Sequence, residues 1–141
     1  MILIHRMISP EARQTNRAPL FAERRMFLKR RWRGVAGDGT EFGFDLESRL
    51  CDGALIHQIG NLDYVIQQEQ ERVCEIAFQS PEQAALIGWK IGNLHFPVQV
   101  LAASVRVEND PAIQQLCGRE GWACHEISVV FQPLPAAAHA S

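Results

Sequence analysis

"RVCEIAFQSPEQAALIGWKIGNLHFPVQVL", from Arg72 to Leu101, changes its hydrophobic period twice. Cys74, Ile76 and Phe78 alternate, which predicts a strand with one apolar face. Ser80 then stands where a helix needs an N-cap. Pro81 fits the first helical position, where no amide donor is required, and Gln83 completes a capping box. Ala84, Ile87 and Ile91 fall on one helical stripe. Gly92-Asn93 predicts a left-handed stop, and "HFPVQVL" predicts the next strand. Strand, helix and strand in so short a span describe half of a split β-α-β unit.

Downstream the pattern repeats. "SVRVE" reads as a strand. Asp110 and Pro111 then open a second helix, with Ile113, Leu116 and Cys117 as its apolar stripe and Gly118 or Gly121 as its end. "HEISVVF" closes as a strand, with Ile127, Val129 and Phe131 alternating. The order is β-α-β-β-α-β, so residues 72–133 are expected to form a ferredoxin-like domain. Residues 134–141, Pro- and Ala-rich, read as a flexible C-terminal tail.

Upstream the chain reads as strands. "MILIHRMI" and "MFLKRRWRGV" are apolar or β-branched runs. Asp38-Gly39 is a hairpin signal, and Phe42, Phe44 and Leu46 alternate after it. Asp52-Gly53 marks another turn, and "ALIHQIG" and "YVIQQEQ" give two short strands about Gly60-Asn61. Residues 1–71 are therefore expected to form an all-β domain, a small sandwich or barrel. No helix is expected there beyond a turn near Leu46–Leu50. The fold class is α+β: two domains with the boundary near Gln70–Arg72.

The 141 residues carry a formal net charge of -2, with 47% hydrophobic and 21% charged residues. That composition supports a packed core and argues against disorder and against a nucleic-acid binder. Locally the balance differs. Arg13, Arg17, Arg24, Arg25, Lys29, Arg30, Arg31 and Arg33 share their stretch with one acid, Glu23. This is a solvated face or a docking patch for an acidic partner. Cys51, Cys74, Cys117 and Cys124 show no C-x-x-C spacing, and most read as small buried hydrophobes. No membrane span and no signal peptide are legible, so a cytoplasmic protein is expected.

Nucleotide-binding, nucleophile-elbow and H-E-x-x-H motifs are absent. The carboxylate pairs Asp45/Glu47 and Glu69/Glu71 read as solvent-facing. Of the histidines, His5 and His57 read as ordinary strand residues. His125 opens the last strand, and His139 lies in the tail. His95 follows the helix stop and precedes Pro97, so its backbone is held from both sides. Taken alone it is a structural histidine or one arm of a metal site. A two-fold homodimer would present it twice near the axis, a pair suited to Ni²⁺, Cu²⁺ or Zn²⁺.

"RWRGVAGDGTEFGFDLESRLCDGALI" and "AALIGWKIGNLHFPVQV", in that order, resemble the urease accessory nickel metallochaperone family UreE over about residues 1 to 135. The resemblance implies an N-terminal all-β domain that binds partner proteins or peptides and a C-terminal ferredoxin-like domain that binds metal and dimerises. It implies nickel at His95 of both protomers, with Zn²⁺ or Cu²⁺ as in vitro substitutes and His139 or His125 as further ligands. The metal would pass to other urease accessory proteins, including the GTPase, and to apo-urease. Such a protein is not an enzyme. Leu94 departs from the family's usual Arg, Pro111 stands where some members have His, and the tail lacks a His-rich run. The alternative is an interaction or scaffold module in urease assembly with no essential metal role.

Overall fold

The computed structural model describes residues 1–9, 13 and 16–135 of the chain. The chain divides into two compact units, Met1–Glu69 and Gln70–Ser141.

The first unit holds two three-stranded sheets. One has the order β1 (Ile2–Ile4), β4 (Glu41–Asp45), β3 (Arg31–Val35); the other has β2 (Asn16–Ala22), β6 (Leu62–Gln68), β5 (Leu55–Ile59). Phe42 and Phe44 of β4 share one core cluster with Leu20 of β2 and Ile66 of β6, so both sheets bury a face in the same core. Two pairings, β1 with β4 and β2 with β6, are parallel. Among the described residues no strand pair joins the two sheets into one barrel.

Two local readings are corrected here. Strand β2 was not expected, because Pro19 lies inside it. Proline cannot donate to a ladder, and it is tolerated because β2 is an edge strand. The expected strand "MFLKRRWRGV" is split: Arg24–Leu28 forms a 3-10 turn that buries Phe27, and only Arg31–Val35 is extended.

The second unit runs β7 (Glu71–Ala77), α1 (Pro81–Asn93), β8 (Val98–Val100), β9 (Ser104–Glu108), α2 (Pro111–Glu120), β10 (Cys124–Val129). Its sheet order is β10-β7-β9-β8, antiparallel throughout, the order of a split β-α-β unit. Both helices pack on one face. Ile87 and Ile91 of α1 and Ile113 of α2 are fully buried with Cys74, Ile76, Val105 and Val107 of the sheet. Lys90 of α1 forms an ion pair with Glu120 of α2. On β10 it is Cys124 that packs on this core, while Ile127 pairs with Val73 and faces the other side of the sheet.

Candidate metal centre

Helix α1 opens at Ser80 as expected, but Gln83 closes on the residue before the N-cap instead of on the N-cap amide of a capping box. Ser80 is extended and its hydroxyl accepts from the Gln83 amide at 3.1 Å, while Gln83 Oε1 accepts from the Gln79 amide at 2.7 Å. The back end departs from expectation. Gly92 and Asn93 stay helical, and Leu94 is the C-cap. The residue in the left-handed region is His95, with φ 63°. Its amide donates to the Gly92 carbonyl at 3.0 Å, which closes the helix.

This conformation fixes the imidazole's base. Ile91, fully buried, lies on one side in sequence, and Phe96, packed against the helix-facing core, lies on the other. His95 itself is exposed. A left-handed L-residue costs roughly 1–2 kcal/mol, a cost that Asn, Asp and His meet more often than bulkier types.

The surface around this histidine is apolar. Leu86, Trp89 and Leu94 are 44%, 65% and 40% exposed. Leu86 and Trp89 are three residues apart and form a second stripe on α1, away from the buried one. Sequence reasoning followed the buried stripe and left this one unread, although the spacing was there to find.

Of the other candidate ligands, only His125 falls among the described residues. His125 is exposed on β10, opposite Glu75 of β7. Strands β10 and β8 are the two edges of the sheet, three strand spacings or about 14 Å apart. His125 lies on one edge strand, and His95 precedes the other. His139 and most of the expected tail lie outside the described residues. The described end of that segment is held: the Gln132 amide donates to Gln99 Oε1 at 3.1 Å, and the Leu134 amide donates to the Val98 carbonyl at 2.8 Å. Among the described residues no group of three or more His, Cys, Asp or Glu could hold a metal ion.

Three of the four thiols lie in the second unit, and Cys51 is exposed in the first. Cys74, Cys117 and Cys124 meet in the helix-facing core. Cys74 donates to Asn109 Oδ1 at 3.3 Å and accepts from Gln114 Nε2 at 3.0 Å. Burial, reinforced by Cys124, pushes the Cys74 and Cys117 thiols up to about 12. In the metal-free fold these two thiols are therefore protonated at neutral pH.

The chain is a mixed α/β protein in which His95 stands exposed beside an apolar stripe. Residues 71–141 match the model of the UreE urease accessory protein C-terminal domain, and the chain belongs to the UreE family. Members of that family are accessory proteins to urease, not enzymes. A urease accessory protein UreE of Rhodopseudomonas palustris strain BisB18 is 31% identical over 108 residues, 74% of this chain and 51% of that relative. One of Bradyrhizobium sp. strain ORS 278 is 34% identical over 98 residues, 67% of this chain and 46% of the relative. One of Synechococcus sp. strain JA-3-3Ab is 26% identical over 106 residues, 75% and 71%. The chain spans about half the length of the first two relatives. Among the described residues no helix is long and apolar enough to cross a membrane.

Proposed function

We propose that the chain is a cytoplasmic nickel metallochaperone for urease maturation, working as a homodimer with His95 of both protomers at the metal. The carrying observation is that His95 is exposed and conformationally fixed beside an apolar stripe, in the half of the chain that matches the family model. A lone imidazole is a weak site, and a two-fold axis supplies the second. Leu86, Trp89 and Leu94 give that axis apolar area to bury. Leu94, where the family usually has Arg, then contributes to the contact rather than to ligation.

Nickel is cargo here, so an open site is an advantage: few ligands let the ion leave. His139 is the natural third ligand. Leu134 is hydrogen-bonded beside Val98, three residues after His95, and the five residues from Leu134 to His139 can reach at most about 17 Å. The recipients in this reading are the urease accessory proteins, including the GTPase, and apo-urease. His125 is left to the surface.

Calorimetric titration of Ni²⁺ into wild type and His95→Ala, with the oligomeric state followed by light scattering, tests the reading. About one ion per dimer is expected, with affinity lowered by about 100-fold in the variant, the upper end of the loss seen when a group merely supporting a ligand is removed. A monomer with unchanged affinity would overturn it. Imidazole binds metal only when neutral, so acid must release the ion.

A further inference from the structure

Sulfur gathers at one place in the second unit, on β10 and α2, away from the end of α1. Cys74 of β7, Cys117 of α2 and Cys124 of β10 all join the helix-facing core. Cys74 and Cys117 are 0% and 4% exposed, while Cys124 is half-buried. The Cys124 thiol lies within hydrogen-bonding reach of both others. Solvent therefore meets one thiol that touches two it cannot meet.

The backbone distinguishes the two neighbours. The amides of Gly121 and Trp122 both donate to the Cys117 carbonyl, the second at 3.1 Å, and Gly121 takes φ 71°. The chain thus reverses at the end of α2 and re-enters the sheet at Cys124. Cys74 is placed otherwise. Cys124 faces Ile76 and Cys74 faces Glu126. Cys74 and Cys124 are therefore diagonal neighbours on one face, with Cα atoms roughly 7–8 Å apart. A disulfide needs Cα atoms about 4.4–6.8 Å apart, so this pair is too wide. The Cys74 sulfur is also engaged, donating to Asn109 Oδ1 at 3.3 Å and accepting from Gln114 Nε2 at 3.0 Å.

We infer that Cys124 and Cys117 form a reversible disulfide when a peroxide reaches Cys124, with Cys74 left reduced. The Cys124 thiolate attacks one peroxide oxygen and the O–O bond breaks. The released hydroxide takes up the Cys124 proton and leaves as water, and Cys124 is now a sulfenic acid. The Cys117 sulfur then attacks the Cys124 sulfur. The S–O bond breaks, and the hydroxyl departs with the Cys117 proton as a second water. Two thiols are oxidised and one peroxide is reduced to two waters. Burial, reinforced by the charge of Cys124, pushes the Cys117 thiol up to about 12, so Cys117 does not meet peroxide as a thiolate. Conversion of Cys124 to a neutral sulfenic acid removes the second of those causes, which sets the order of the steps. The pair needs neither nickel nor His95.

The reduced full chain, in EDTA, is treated with hydrogen peroxide, alkylated in guanidinium chloride and mapped by mass spectrometry without reduction. Of the four cysteines, Cys51 and Cys74 should remain alkylatable and Cys117 and Cys124 should be joined, with all four thiols recovered after dithiothreitol. Cys74→Ala and His95→Ala should form the same bond. Cys124→Ala should leave Cys117 fully alkylatable, and Cys117→Ala should leave a Cys124 sulfenic acid that dimedone traps. The wild-type map decides the matter even if a core variant fails to fold. Four thiols surviving peroxide, a bond from Cys124 to Cys74, bonds through Cys51 alone, or Cys124 running on to the sulfinic acid with Cys117 still alkylatable would each overturn the inference, and none would touch the nickel titration.

Discussion

The two helices of the second unit begin alike and end differently. Ser80 caps α1 and Asp110 caps α2; each side chain accepts a backbone amide, and each is followed by proline. At the far end α2 stops on Gly121 at φ 71°, and α1 stops through Leu94 on His95 at φ 63°. Gly39, Gly53 and Gly60 take the other left-handed positions. Among the described residues only His95 does so with a side chain. Glycine would make the same turn without steric cost. An imidazole held there is strain kept at one place, as is common at functional sites.

The comparison rests first on the two helices being packed alike, which Ile87→Ala and Ile113→Ala test. Both side chains are fully buried in one cluster, so each truncation should cost about 2–5 kcal/mol in urea denaturation. A cost near zero for Ile87 would mean that α1 is not a rigid base for His95. The ends come next. Gly121→Ala should destabilise by about 1–2 kcal/mol, and His95→Gly should stabilise by up to about 1 kcal/mol, because the left-handed penalty is added in one and removed in the other. Two changes of the same sign would erase the contrast. At the front, Ser80→Ala and Asp110→Ala should each cost about 1 kcal/mol, and clearly unequal losses would show that the starts are not equivalent.

The smallest effect is at the Asp38-Gly39 turn, where a carboxylate works beside a left-handed glycine. Asp38 accepts from the Tyr64 hydroxyl at 2.6 Å and from the Thr40 amide at 3.0 Å. The Tyr64 bond, more than the others, holds this carboxyl below its ordinary range. A depressed carboxyl stabilises the fold above its unfolded value, and that gain is lost as pH falls through the folded value. Asp38→Asn should therefore flatten the acid limb of a stability–pH curve slightly. A steeper acid limb in the variant would reverse the assignment.

What was legible in the sequence follows local physics. Caps, prolines and period-3.6 stripes placed both helices, because those signals act within one turn. The end of α1 was misread because Gly92-Asn93 is the commoner stop, and nothing local says that a histidine will take the strained position instead. Pro19 hid β2, since a proline is admissible in a strand only when the strand is an edge, a fact of the assembled sheet. The 3-10 turn at Arg24–Leu28 has no periodic signature. For the candidate site, the place of His95 between helix stop and proline marks it in the sequence but leaves open whether it is structural or an arm of a metal site. The separation of His125 from it, and the holding of Leu134 beside Val98, depend on sheet order and long-range hydrogen bonds. The exposed Leu86–Trp89 stripe was readable but looked like ordinary helix surface until the buried stripe had been placed.

The account's central claim is that a residue which costs stability at the end of α1 is kept for its imidazole. Nickel calorimetry and thermal melting on His95→Gly measure both halves at once. The account predicts that nickel binding is lost while the melting temperature holds or rises. Nickel bound as tightly as in the wild type, or a melting temperature that falls, would contradict it.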